Sequence, residues 1–261
     1  MKPVRLGAVD YLNARPLVFG LELHPEFVLR FDPPSKCAAL LHEGSIDVGM
    51  IPGIEYLRGG AYCAVPEVAI VSEGPVASVA LFTTAPLEQV RSIAADTSSR
   101  TSNALLRLLC VESFGIDPEF VPMPPRPLEM LRQHDAALLI GDAALFFDHD
   151  AAGAAKVDLG EQWTALTGLP FIWAFWAGRP GVLTPAHVQS LVEATDAGVV
   201  HSDEVAAAYC GPERAERGRR YLRENIRYNW GDRETAGLTR YYQLAYLHGL
   251  IDEVKEPVYY K

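Results

Sequence analysis

The chain of 261 residues has only four cysteines, Cys37, Cys63, Cys110 and Cys210, and no two form a C-x-x-C pair. Such scattered thiols argue against a disulfide framework and against a cysteine zinc site, and are expected to be reduced and buried. The seven histidines lack H-x-x-x-H spacing, so no metal is expected either. No apolar run reaches the ~18 residues that a membrane span requires. The opening MKPVRLGAVDYL runs into a strand pattern with no apolar h-region or cleavage site, so a cytoplasmic location is expected. Positive charge is scarce: 23 Lys and Arg face 33 Asp and Glu, for a net charge of -10. A nucleic-acid partner needs a basic face, and a membrane-surface helix needs a basic stretch. The one dense basic segment, Arg214–Arg223, has helical periodicity and reads as a solvated face. There is no G-x-x-x-x-G-K-[ST], which disfavours nucleotide phosphate. Neither a Ser-His-Asp or Cys-His set nor a pair of catalytic carboxylates follows from spacing. Nothing specifies an oligomeric state.

What is present is an ordinary globular composition, 49% hydrophobic and 21% charged, with 19 prolines and 21 glycines spread as punctuation. Short apolar strands alternate with helical stretches, the pattern of a parallel α/β architecture. Strands are predicted at Val4–Val9, Phe27–Phe31 and Ile46–Ile51, with helices at Pro16–Leu23 and Ser35–Glu43. A second series follows: strands Ser92–Ala95, Phe120–Met123 and Ala136–Ile140, with helices Thr101–Cys110 and Pro127–His134. Everything after Thr184 reads as helical, ending in an amphipathic helix Glu234–Ile251. Two similar units and a helical return predict two lobes, one of residues 1–82 and 178–261, the other of 83–177. Ser78–Thr84 and Phe171–Ala177 would form the hinge.

In open parallel sheets ligands sit beyond the carboxyl ends of the strands. That rule selects five segments. Asp10–Leu17 follows the first strand, with Asn13 and Asp10 placed to face a cleft or merely to organise the turn. Asp96–Asn103 puts Ser99, Arg100, Thr101 and Ser102 at a helix start, where unpaired N–H groups suit a carboxylate or phosphate. The alternative is an ordinary cap. Gly53 and Gly141, each after a strand, would let backbone approach a ligand, with Asp142 beside the second. The aromatic run Phe171–Trp176 lines a pocket or simply packs the hinge. The residues alone therefore reach a hinged binder of a small anion.

At these same segments the chain resembles the MqnA-type chorismate dehydratases of the futalosine route to menaquinone. The likeness runs through GAVDYLNARPL (7–17), DVGMIPGIEYL (47–57), SRTSNALLRLL (99–109), LLIGDAAL (138–145), DLGEQWTALTGLPFIWAFWA (158–177) and YLRENIRYNWG (221–231). Any one of these is weak; the ordered set is specific. A Ser-Pro-Cys-Pro-Asn-like signature of a later enzyme of that route is absent. The resemblance implies a two-lobed fold of the type II periplasmic binding proteins and a hydro-lyase that removes water from chorismate. The product would be 3-[(1-carboxyvinyl)oxy]benzoate. Aromatisation drives that reaction, so neither a redox cofactor nor a metal is implied. Residue by residue, Asn13 and Ser78 would lie nearest the reacting part of the substrate. Ser99, Thr101 and Ser102 would hold a carboxylate, with Arg15, Asp10, Gly53, Gly141 and Asp142 around them. Asn13 is an amide and no base, so a carboxylate of the substrate itself is expected to take the proton. A solute-binding module or a regulator's sensing domain would share the fold; the missing leader pattern and the missing helix-turn-helix disfavour both.

Overall fold

Strand β1 (Val4–Val9) pairs in parallel with β2 (Phe27–Asp32) on one side. The computed structural model describes residues 2–261. Helix α1 (Pro34–Glu43) carries its proline in the first turn, where a missing N–H costs nothing, and stops at Gly44 with φ +80°. It leads into β3 (Val48–Pro52), the other parallel neighbour of β1. A short helix α2 (Glu55–Arg58) precedes β4 (Cys63–Ala64) and β5 (Glu67–Ser72), after which the chain leaves this sheet.

A second sheet begins with β6 (Val79–Thr83). Then β7 (Ser92–Asp96), α3 (Arg100–Leu109), β8 (Glu119–Met123), α4 (Pro127–Gln133) and β9 (Ala136–Ile140) form parallel crossovers. Helix α5 (Gly141–Leu145) and strand β10 (Ala155–Asp158) complete this unit, and α6 (Leu159–Thr167) leads back. Strand β11 (Phe171–Gly178), buried along its whole length, lies between β3 and β5 of the first sheet. Helices α7 (Pro185–Val200), α8 (Ser202–Cys210) and α9 (Ala215–Glu224) follow, then β12 (Arg227–Trp230) beside β5, and α10 (Asp232–Leu247).

The first sheet runs β12-β5-β11-β3-β1-β2, with β4 against β11; the second runs β10-β6-β9-β7-β8. Each therefore holds a parallel trio flanked by an antiparallel strand: β11 against β3, and β6 against β9. The central strands of the second sheet are apolar on both faces. Leu81 and Leu138 turn to the main core, while Phe82, Ala137 and Leu139 meet Met123 and Met130 on the other side. This explains why such strands read as continuous apolar runs.

The structure departs from the sequence reading at several places. The sheets are mixed, and not purely parallel as the strand–helix alternation suggested. Residues 12–23 form three single 3-10 turns instead of one helix from Pro16, because Gly20 adopts φ +75° and interrupts them. The helical return is broken by β12, whose Tyr228 and Trp230 are buried while Arg227 and Asn229 face outward. The segments expected to be hinge are full strands: β6 belongs to the second sheet and β11 to the first, so the crossings fall at 73–78 and 159–170. The last helix ends at Leu247, with Tyr241 and Tyr242 buried and Tyr246 exposed. All four thiols are free, and Cys210 is only partly buried. Among the described residues no helix is long and apolar enough to cross a membrane.

Candidate active site between the two sheets

The carboxyl ends of β1, β3, β7 and β9 converge on one cavity of about 40 Å³. Val9, Tyr11, Asn13, Pro52 and Trp173 line it from the first-sheet unit, and Val79, Ser99, Ser102, Ile140 and Gly141 from the second, with Pro34, Ile70 and Ala174 completing the wall. No carboxylate, ammonium, guanidinium or imidazole is among these residues. The polar side-chain groups are the Tyr11 phenol, the Asn13 amide, the hydroxyls of Ser99 and Ser102, and the Trp173 indole N–H, which is already bonded to Ser72. Burial raises the pKa of Tyr11 to about 12, so the phenol stays a neutral donor at ordinary pH. At roughly 10–15 Å³ per water, the space holds a few waters and no larger guest.

The second-sheet wall is built on Asp96, which is fully buried at the end of β7. Its Oδ1 accepts from the Ser98 amide at 2.8 Å and hydroxyl at 2.5 Å, and its Oδ2 accepts from the Ile140 amide at 3.2 Å. One carboxylate thus ties the end of β7 to the end of β9, and burial pushes its pKa up. Ser99 caps α3: its Oγ accepts from the Ser102 amide at 3.2 Å and donates to Ser102 Oγ at 2.9 Å. The helix start therefore presents hydroxyls and its positive dipole end to the cavity. Among the described residues, no group of three or more His, Cys, Asp or Glu side chains is assembled as a metal site.

Several bonds bridge the two units across this cavity. The Leu12 amide donates to Asp142 Oδ1 at 3.2 Å, and the Tyr209 hydroxyl donates to Asp142 Oδ2. The Ile54 amide donates to Thr101 Oγ1 at 3.1 Å, and Ser35 N donates to Ser98 O at 3.0 Å. Arg100 Nη1 meets Glu55 Oε2 at 2.5 Å. Glu55 is only 1% exposed, and it also receives Arg58 and His42, each at 3.2 Å. Burial alone would raise the Glu55 pKa; the Arg100 charge and the bonds from His42, Arg100 and Arg58 outweigh it and hold the group below its ordinary value. The Tyr11 ring lies flat on Gly141, where a Cβ would come within 2.7 Å of Tyr11 Cδ2.

Ser78 stands at the edge, beside the lining residue Val79. It follows Ala77, a non-glycine residue at φ +62°. That conformation is held by Asp158, which accepts from the Val76 amide at 2.9 Å and the Ala77 amide at 2.7 Å, and by Lys156, which donates to Ala77 O at 2.7 Å. The Ser78 hydroxyl is buried and accepts from the Tyr221 hydroxyl at 2.7 Å. On the opposite side, Tyr228 donates to the Asn13 carbonyl at 2.9 Å, while Asn13 Oδ1 is buried with no protein partner.

Of the residues singled out from the sequence, Asn13, Ser99, Ser102 and Gly141 line the cavity, and Ser78 adjoins it. Thr101 and Asp142 do not line it; their polar atoms bridge the two units. Asp10 and Arg15 pair with each other outside the lining, the guanidinium lying over the rings of Phe31 at 4.1 Å and Tyr209 at 4.9 Å. Gly53 turns into the first-sheet core: it donates to Trp173 O at 3.2 Å, accepts from Tyr242 at 2.7 Å, and has ordinary room for a Cβ. The protein itself requires a close approach at Gly141, to Tyr11, and none at Gly53. Sequence reasoning passed over Tyr11, although it lies inside the 7–17 segment, and could not see Tyr209 and Tyr221, which arrive from the distant helical return. In the aromatic run, Trp173 reaches the cavity, with its Nε1 donating to Ser72 Oγ at 3.0 Å, while Phe171, Phe175 and Trp176 pack the core.

Comparison with known proteins bears on the family and the fold. The chain is 34% identical over 225 residues to a protein of Thermus thermophilus named chorismate dehydratase, covering 80% of this chain and 82% of that one. Among solved structures, a protein of Archaeoglobus fulgidus superimposes with a TM-score of 0.80 at 20% identity, over 95% of this chain and 98% of that one. The periplasmic aliphatic sulphonate binding protein SsuA of Escherichia coli superimposes at 0.68 and 16% identity, over 97% and 94%. These likenesses show a periplasmic-binding-protein-like α/β fold. Residues 4–247 match the family described as "Menaquinone biosynthesis", and the chain belongs to that family.

Proposed function

We propose that this protein is a chorismate dehydratase, a hydro-lyase acting in menaquinone biosynthesis by the futalosine route in the cytoplasm. The two units act as lobes that divide at the crossings 73–78 and 159–170, open to admit chorismate, and shut over it. The observation that carries this reading is the lining of the cavity: its polar side chains are all neutral, set in an apolar wall, and none is a base.

The chemistry fits such a lining. Ser99, Ser102 and the start of α3 hold the ring carboxylate. When the C3 proton leaves, charge spreads through the diene towards that carboxylate, and these donors stabilise it as it grows. The substrate's side-chain carboxylate takes the C3 proton, the C3–H electron pair becomes the C3=C4 bond, and the C4–O bond breaks. The hydroxyl departs with the proton as water, leaving an aromatic ring. Asn13 and Ser78 act on the departing hydroxyl, Oδ1 of Asn13 accepting its hydrogen and Ser78 donating to its oxygen. Closure strips water from the internal base and so strengthens it.

Purified protein incubated with chorismate should develop an aromatic absorbance with loss of one water by mass. Asn13→Ala and Ser78→Ala should each lower kcat by about 10²-fold, the scale of losing one transition-state donor. Tight binding without turnover would instead mark a solute-binding protein, the reading favoured by the likeness to SsuA. Full activity in both variants would refute the assignment of these two residues.

A further inference from the structure

The hydroxyl of Tyr221, on α9, sits where the polar groups of both units meet. It donates to Ser78 Oγ at 2.7 Å across 143 positions of sequence. We propose that Tyr221 is a positioning residue for the elimination, fixing the Ser78 hydroxyl against the leaving hydroxyl of the substrate. The inference rests on the reading of the site given above.

A serine hydroxyl otherwise rotates among three staggered wells. Here the backbone of Ser78 is already fixed, because Asp158 and Lys156 hold Ala77 at φ +62°. What remains free is the O–H rotor. Once Tyr221 donates to Ser78 Oγ, the serine's own hydrogen must point elsewhere, and Asn13 Oδ1 is a buried acceptor with no protein partner. A donor from Ser78 and an acceptor from Asn13 suit a substrate hydroxyl, which needs one of each. The phenol is no candidate base: burial raises its pKa far above that of free tyrosine, with Ser78 and Asn13 opposing the shift and Asp142 and Asp158 adding to it. The same helix–strand unit holds Asn13 from behind, since Tyr228 of β12 bonds its carbonyl at 2.9 Å. The C-terminal return is thus part of the site it never lines.

Tyr221→Phe removes one oxygen and keeps the buried ring, so the fold is retained. Its kcat should fall about tenfold, on the scale of one hydrogen bond to a reacting group, with KM within twofold of the wild type. In a Ser78→Ala background the same substitution should cost less than twofold, because the group it orients is gone. An unchanged kcat in Tyr221→Phe, or an undiminished tenfold loss in the Ser78→Ala background, overturns the proposal. If the wild type binds chorismate without converting it, the dehydratase reading fails and this proposal fails with it, whereas an unchanged kcat in Tyr221→Phe beside an active wild type overturns the proposal alone. A wild type that neither binds nor converts chorismate overturns both.

Discussion

Glu55 and Arg100 approach to 2.5 Å from the two units, one from the first turn of α2 and the other from the first turn of α3. The carboxylate is 1% exposed and the guanidinium 43%, so the two ends of the pair are unequal. Removing Arg100 breaks a bond that water partly screens, worth about 1 kcal/mol or less. Removing the Glu55 charge weakens three bonds at once, to side chains that stay 26%, 39% and 43% exposed and can turn to water, and costs about 1–3 kcal/mol. Arg100→Gln should therefore raise KM several-fold and enlarge the radius of gyration of the ligand-free protein, with little change in Tm. Glu55→Gln should lower Tm by several degrees. X-ray scattering and thermal unfolding check both.

The same carboxylate sets a pH response. Its folded pKa lies below the ordinary value, so its contribution to stability is complete above the unfolded pKa and is lost as pH falls through the folded one. Wild-type protein should lose stability below about pH 4, and Glu55→Gln should show a shallower acid limb. An identical limb in both proteins would exclude Glu55 as its source.

Asp142 behaves in the opposite sense. Burial raises its pKa, against the bonds from Tyr209 and Leu12, so the folded protein favours the neutral form. Its stabilising contribution is present at low pH and lost as pH rises through the folded pKa. Asp142→Asn should therefore be at least as stable as the wild type at pH 7, with the difference shrinking towards pH 4, whereas Asp142→Ala loses the bridge between the units and should raise KM by about fivefold to tenfold. Denaturant titrations at the two pH values measure the first effect and steady-state kinetics the second.

Gly141 has φ +58°, and a methyl group there would press on the Tyr11 ring at 2.7 Å. Gly141→Ala should cost about 1–3 kcal/mol through strain alone. The larger effect should be on activity, because the substitution displaces Tyr11 from the cavity wall; a variant with normal KM and kcat would show that the contact is dispensable.

The strands of both parallel trios were legible because apolar and β-branched runs such as Val4–Val9 and Ala136–Ile140 have no other comfortable conformation. Their ends then led to Asn13, Ser99, Ser102 and Gly141. The failures share a physical cause. The short strand Arg227–Trp230 alternates polar and aromatic residues for only four positions, too few to stand out beside helices. Pro16–Leu23 was read as a helix because nothing local announces that Gly20 takes a positive φ. Tyr209 and Tyr221 reach the site through packing of remote helices, which no periodicity encodes.

The four free thiols offer an inexpensive check of the packing. Cys37, Cys63 and Cys110 are buried and Cys210 partly so; burial raises the pKa of every one, to about 12 for Cys37 and Cys110. A chromogenic disulfide reagent should find at most one slowly reacting thiol in the native protein and four after denaturation. Two or more fast-reacting thiols would contradict the packing.

The order in which the strands appear along the chain constrains how the molecule is born. The second sheet is contiguous from Val79 to Asp158, so a ribosome completes it in one stretch. The first sheet cannot close then, because β11 must slot between β3 and β5, and β12 is made later still. Until Gly178 is synthesised, β3 and β5 each carry an open edge in a nascent chain whose other half has already folded. Vectorial synthesis thus makes the inserted unit the template and the terminal unit the late arrival, and a chain truncated before residue 171 should be captured by chaperones.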